Sequence, residues 1–366
     1  MLNQMIKDRN IPDLFKLNDG SAVTALNWNK RRAELLDILS ENIYGYTPQE
    51  QVEVSSKLVG INSTDKRAFA GKYNDYKYEL SFETPKGIFT FPLYAVYSPV
   101  VYNQPAVLHI AFRDNIPHTY MPVEEICDRG VALFMFCYND IVPDSVDGKY
   151  DKGLAAHYIN DQIPRAESEW GKLGMWAYAA SRAMDFIETL ENINPARVMV
   201  AGHSRLGKTA LWASAQDERF YMTFSNNSGY GGAALARGGR GERINDFIQA
   251  GSYDWFCRRF AENAGKDEIL PYDQHFLLSL IAPRLLYVSS AEIDPGADPD
   301  SEFLSCFSAG KTWDMLGDKG FITPDEMPGK DIVLHEGKVG YHRRPGLHYF
   351  SRQDWNRALD FFLKNL

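Results

Sequence analysis

Ser204 lies in Gly202-His203-Ser204-Arg205-Leu206-Gly207-Lys208, between two segments of different periodicity. Arg197 to Ala201 is apolar enough to read as a buried strand, and Leu206 to Gln216 reads as an Ala-rich amphipathic helix. A serine on a sharp strand-to-helix turn has its hydroxyl lifted above the sheet. The helix behind it offers free N–H groups to a developing oxyanion. The segment therefore predicts a serine nucleophile. Its spacing departs from Gly-x-Ser-x-Gly, because the second glycine, Gly207, comes one position late. A structural turn in a Rossmann-like sheet is the competing reading of the segment alone.

Serine needs a base within hydrogen-bond reach to act at neutral pH. Two histidines fall between the last expected strand and the last expected helix, His342 and His348. His348 follows a Gly-containing turn and is the expected base; His342 is expected to close the strand. A carboxylate that orients the imidazole completes such a site. The loop Ala291-Glu292-Ile293-Asp294-Pro295-Gly296-Ala297-Asp298 supplies it, with Asp294 as first choice and Glu292 as second. The resulting order of serine, acid and histidine is that of α/β-hydrolases. Arg205 and Lys208 put two positive charges beside the nucleophile. They read either as solvated partners of Asp217 and Glu218, or as part of a site for an anion, a uronic acid or a carbonyl oxygen that becomes negative. Asn226 to Gly232 is expected to pass close to the turn, since paired glycines allow backbone approach. Trp255 and Trp170 can stack on a sugar ring, with core packing as the competing role.

The elements that must position these residues form an α/β pattern. Apolar spacing suits a helix over residues 25–45, and residues 51–100 alternate as strands. From Ala106 onward buried strands alternate with helices: Ala106–Phe112, Val131–Phe136, the helix Leu173–Leu190, then the serine turn. An insert rich in Asp, Gly and Pro runs from Asn139 to about Glu169. Phe220 to Phe224 heads toward a strand, Arg284–Ser289 is another, Asp331–Leu334 is expected to be the last, and Gln353–Leu366 the closing helix. The expectation is a three-layer α/β/α sandwich with a mostly parallel central sheet. It takes residues 1–366 as one α/β-hydrolase domain: an N-terminal helical segment to residue 50, leading antiparallel strands over 51–100, and a catalytic core over 106–366.

Composition narrows the function. The 366 residues are 45% hydrophobic, enough for a substantial core. The net charge of −9 and the lack of a basic run argue against a nucleic-acid partner. No apolar run is long enough for a membrane helix, and the N-terminal ten residues lack a secretory pattern, so a cytoplasmic chain is expected. Cys127, Cys137, Cys257 and Cys306 form no Cys-x-x-Cys pair, so neither zinc nor redox chemistry is expected.

At these residues the chain resembles the glucuronoyl esterases, carbohydrate esterase family 15, which carry Gly-x-Ser-Arg-x-Gly-Lys at the serine turn. Likeness to the bacterial members extends through Trp28 with Arg31-Arg32, Tyr44-Gly45, Asp217 to Phe220 and Ser228-Gly229. It continues through Trp255-Phe256-Cys257, Leu270 to His275, Leu280 to Arg284, and Gly340-Tyr341-His342 through His348 to Asp354-Trp355. The resemblance implies an α/β/α sandwich without metal or cofactor, cleaving esters between 4-O-methyl-glucuronic acid of xylan and lignin alcohols. It implies Ser204 as nucleophile, His348 as base, Arg205 as oxyanion support and Lys208 as a contact to a uronate hydroxyl. Glu242 and Trp255 join Lys208 as substrate-binding candidates. Two departures stand out. The fungal pattern places a glutamate acid where this chain has Asn227, and some bacterial relatives instead carry the acid one strand later, as Asp294 would. Many members have a tryptophan where Pro295-Gly296 stands here. The expected activity is hydrolysis of a glucuronate ester on a xylan-derived saccharide, with no cofactor and a small-molecule or oligosaccharide ester as partner. The alternatives are a sugar O-acetyl esterase and a catalytically idle saccharide-binding fold.

Overall fold

The computed structural model describes residues 1–61, 68–113, 121–145, 148–160 and 163–366. Its frame is one ten-stranded sheet. The strands are β1 (Ser55–Ile61), β2 (Asn74–Thr84), β3 (Gly87–Tyr97), β4 (Gln104–Ala111), β5 (Ala132–Cys137), β6 (Ile193–His203), β7 (Met222–Asn226), β8 (Leu285–Ala291), β9 (Ile332–Leu334) and β10 (Val339–Arg344). Their spatial order is β1-β2-β3-β5-β4-β6-β7-β8-β10-β9. The run from β5 to β10 is parallel throughout, while β1 to β3 and β9 pair antiparallel at the two edges.

The central strands are apolar on both faces because helices cover both. Along β4, Leu108 and Ile110 enter one core, shared with the helices Lys172–Ile187 and Arg205–Gln216. Val107, the residue before Leu108, enters the other, shared with Val123–Asp128 and Arg352–Lys364. This period of two, read against helices on each side, is the three-layer sandwich expected of the sequence. Among the described residues no helix is long and apolar enough to cross a membrane. All four cysteines are buried, and none is in a disulfide.

Two expectations about elements need correction. Asp331–Leu334 is not the last strand: its core, β9, is a short antiparallel edge strand, and Val339–Arg344 follows as β10, parallel to β8. The sequence hides β10 because His342, Arg343 and Arg344 break its apolar pattern, yet His342 and Arg344 are fully buried. His342 therefore lies inside β10, with Arg343 and Arg344 after it, rather than closing the strand. The helix expected over 25–45 is a short 3-10 turn, the helix Trp28–Leu39 and a π turn Ser40–Tyr44.

Chain order reverses direction between β4 and β6, since β5 lies on one side of β4 and β6 on the other. A crevice opens at the carboxyl ends of strands at such a switch point. Ser204, Asn227, Asp294 and His348 all follow the carboxyl ends of their strands, β6, β7, β8 and β10.

Candidate active site

The turn at Ser204 is built from backbone constraints. Ser204 has φ 56° and ψ −128°, a conformation L-residues rarely adopt. Its amide donates to the Asn226 carbonyl at 2.8 Å, which ties the turn to β7. A Cβ at Gly202 would lie 2.0 Å from the Leu206 carbonyl oxygen, so only glycine lets the helix fold back on β6. The late glycine has its own reason: a Cβ on Gly207 would come within 3.0 Å of Ser225 Oγ and 3.1 Å of Ser228 Cβ.

Three side chains from three loops meet at this turn. Ser204 Oγ and His348 Nε2 are 2.9 Å apart, and His348 Nδ1 and Asp294 Oδ2 are 2.6 Å apart. Asp294 is 5% exposed. Burial raises its pKa, but the His348 ring, the Asn227 amide and the Ala297 amide outweigh burial and hold the carboxyl below the ordinary aspartate value. Asn227, at the position of the fungal glutamate, donates its Nδ2 to Asp294 Oδ2 at 2.6 Å. The second-choice acid is elsewhere: the Glu292 carboxylate pairs with Lys330 at 2.8 Å. His203 packs its ring 4.6 Å from that of His348 and bonds Asn226 through Nδ1 at 2.6 Å. Burial, helped by the neighbouring His348, pushes its pKa down to about 4, so a neutral ring stands beside His348.

A cavity of about 200 Å³ opens over the serine, lined by Ser204, Asn227, Ser228, Glu242, Asp294, Gly296, Ala297 and His348. Arg205, Lys208 and Trp255 are not among its lining residues. The Arg205 guanidinium donates to Asp144 Oδ2 and lies 4.1 Å over the Trp255 ring. Trp255 Nε1 donates to Asp144 Oδ1 at 2.7 Å. Trp255 is thus a platform for Arg205, and Asp144 orients both. Nothing in the spacing of the insert singled out Asp144 among its other acidic residues. Burial lowers the Arg205 pKa from its ordinary value. Trp170 is a core residue, packed edge-on against Tyr158 and Tyr178.

Lys208 is 2% exposed and uses each of its three donors on the protein. Nζ reaches the Ser228 carbonyl at 2.6 Å, the Tyr230 carbonyl at 2.6 Å and Glu242 Oε2 at 3.2 Å. The carboxylate of Glu242, and not the ammonium, faces the cavity. The same 228–229 segment is capped from below by Glu302, whose Oε1 accepts from the Ser228 and Gly229 amides at 2.8 and 3.0 Å. Burial pushes the Glu302 carboxyl up to about 8, against those amides and the Ser290 hydroxyl. The folded state then holds a proton that the unfolded chain releases near the ordinary glutamate value, so stability falls as pH rises across that window. Glu302→Gln is expected to remove this decline, by several degrees in Tm. Melts of both proteins at about pH 5 and about pH 8 check it, and an unchanged slope in the variant would place the titration elsewhere.

The family model for fungal glucuronyl esterases matches residues 98–317, more than half of the chain. Carbohydrate esterase MZ0003, from an unknown prokaryotic organism, is 33% identical over 96% of this chain and 88% of its own length. The 4-O-methyl-glucuronoyl methylesterase of Schizophyllum commune is 29% identical over 78% of this chain and 67% of its own. Among solved structures, the glucuronoyl esterase from Solibacter usitatus superposes with a TM-score of 0.86 at 30% identity, over 97% of each chain. The sandwich with its crevice at the switch point and the sequence matches along nearly the whole chain agree, and the protein belongs to the glucuronoyl esterase family, carbohydrate esterase family 15.

Proposed function

We propose that this protein is a serine esterase that hydrolyses the ester of a 4-O-methyl-glucuronic or glucuronic acid unit on xylan-derived saccharides. The observation that carries the reading is the unbroken relay from Ser204 Oγ through His348 to Asp294, at 2.9 and 2.6 Å, on the wall of the cavity. Ser204 attacks the ester carbonyl as His348 Nε2 takes its proton. Asp294 holds the Nδ1–H tautomer and stabilises the imidazolium that forms. Gly207 and Lys208 donate their amides to the Ser204 carbonyl, which leaves the first two amides of the helix, those of Arg205 and Leu206, to meet the oxyanion, with the Arg205 side chain adding positive charge. The imidazolium then gives its proton to the departing alcohol. Water, activated by the same histidine, releases the glucuronate.

Glu242 carries the sugar recognition in this reading. Lys208 holds its carboxylate at the cavity wall, where it accepts from a hydroxyl of the uronate. Glu242→Ala is expected to raise KM for benzyl glucuronate roughly tenfold or more, the loss of one charge-assisted hydrogen bond of about 1.5–3 kcal/mol. KM for a simple aryl acetate is expected to stay within about twofold, because that substrate has no hydroxyl to lose.

Side-by-side hydrolysis of benzyl glucuronate and an acetylated xylo-oligosaccharide tests the function itself. Preference for the glucuronate supports it. Preference for the acetyl ester assigns the acetyl-esterase activity instead, which Pro295-Gly296 favours by leaving the cavity without an aromatic wall. Turnover of neither would match an idle fold.

A further inference from the structure

A second His–Asp pair is buried next to the active site, and the reaction does not use it. His342 Nε2 lies 2.8 Å from Asp354 Oδ1. On its other side His342 Nδ1 is 2.9 Å from the Tyr287 hydroxyl, which is itself 2.8 Å from His335 Nε2. One orientation of protons satisfies all of them with both rings neutral: His335 donates to Tyr287, Tyr287 to His342, and His342 to Asp354. No nucleophile ends this chain. Its work is to fix Asp354, which also accepts from the Ser351 amide and hydroxyl, each at 2.7 Å.

Asp354 in turn orients Arg344. Arg344 Nε is 2.8 Å from each Asp354 oxygen. The rest of the guanidinium points into the loop that carries His348. Nη1 donates to the carbonyls of Pro345 and Leu347 at 3.1 and 3.2 Å, and Nη2 donates to the carbonyl of Tyr349. Those last two carbonyls flank His348 on either side. The Tyr349 ring stacks over the guanidinium at 4.0 Å. Among the described residues the loop has one further backbone tie, from the Ile293 amide to the Gly346 carbonyl at 2.9 Å, and that tie comes from the loop of Asp294.

We propose that Arg344, oriented by Asp354, is a positioning residue of the esterase: by gripping the carbonyls of Leu347 and Tyr349 it fixes His348 between Ser204 and Asp294. The need for such a device follows from exposure. The His348 side chain is 43% exposed, so packing alone does not hold it. A base displaced by about 1 Å loses roughly a hundredfold in rate. Only a planar fork can meet a carboxylate and three carbonyls at once; a lysine at 344 keeps the charge for Asp354 and loses the span.

The inference rests on the serine-esterase reading, and the experiment separates the two. Arg344→Lys and Gly346→Ala are compared with the wild type on benzyl glucuronate and on an aryl acetate, per folded molecule by circular dichroism. Gly346 has φ 106°, and a Cβ there would lie 2.6 Å from the Tyr349 hydroxyl and 3.2 Å from Arg344 Nη1, so alanine disturbs the grip from the loop side without touching the core. Both variants are expected to lose roughly tenfold to a hundredfold in kcat, with KM within about twofold. Labelling of Ser204 by a fluorophosphonate is expected to slow by the same factor, which a role in stability alone would not produce. A kcat within about twofold of wild type in either folded variant, or a loss confined to KM, overturns the proposal; if Arg344→Lys does not fold, Gly346→Ala decides. Ser204→Ala is the control. Activity surviving in Ser204→Ala sinks the serine reading itself, whereas a dead Ser204→Ala beside fully active Arg344→Lys and Gly346→Ala sinks only the positioning role.

Discussion

Ser204→Ala is expected to lower kcat on every ester by about four orders of magnitude or more, and to leave the protein folded. The size follows from the chemistry: no other described nucleophile lies within reach of His348 Nε2, so a covalent route has no substitute. The fold survives because the turn is held by backbone, through the Ser204 amide on the Asn226 carbonyl and the close approach of Gly202 to Leu206. Ser204→Gly separates stability from activity. The φ of 56° is strained for serine and alanine alike and open to glycine. Relief of that strain, set against the greater chain entropy of glycine, is expected to make Ser204→Gly about 1 kcal/mol more stable than Ser204→Ala. Both variants remain inactive. Denaturant titration and ester assays on the pair check this. A folded Ser204→Ala that turns over near the wild-type rate removes the mechanism, and a Ser204→Gly less stable than Ser204→Ala removes the strain.

The parts of this site that sequence makes legible are those fixed by local constraint. The serine turn announces itself because a strand, a tight turn and a helix must each show their own periodicity, and Gly202 marks the place where the backbones touch. The sheet is legible for the same reason: β4 and β8, covered on both faces, read as largely apolar runs. What sequence leaves open is set by contacts across long separations. Glu292 and Asp294 are two residues apart in one acidic loop, and only the path of the backbone sends one to Lys330 and the other to His348. Lys208 carries the spacing of a site residue, yet its ammonium is consumed by the Ser228 and Tyr230 carbonyls and Glu242. Strand β10 is hidden because its polar side chains are buried in pairs, and burial of a paired charge leaves no mark in an apolar pattern. Asp144 has no signal at all, being one acid of several in a polar insert.

Asp294→Asn is expected to lower kcat by roughly three to four orders of magnitude, with a much smaller change in KM. The reason lies in the donors around the carboxylate. His348 Nδ1 and the Asn227 amide lie 2.6 Å from Oδ2, and the Ala297 amide donates to Oδ1 at 3.3 Å. An asparagine has one acceptor for these three donors. If its NH₂ faces His348, the ring must carry its proton on Nε2, and it can no longer accept one from Ser204. If its oxygen faces His348, the NH₂ confronts the Ala297 amide and the imidazolium has lost its counter-charge. The first orientation removes base catalysis and the second weakens it, and neither empties the cavity. The substitution also has a pH signature. The folded Asp294 carboxyl titrates below its ordinary value, so its contribution to stability is present above the unfolded value and is lost as pH falls through the folded one. Wild type and Asp294→Asn are therefore expected to differ in stability at neutral pH and to converge on acidification, which melts between about pH 7 and about pH 3 would show. Asn227→Glu added to Asp294→Asn returns a carboxylate from the neighbouring strand to the same space. A partial recovery of kcat in the double variant would show that the acid's charge, rather than its place after β8, is what His348 requires. No recovery, with both proteins folded, would show that the geometry set by the Asp294 loop matters as much as the charge.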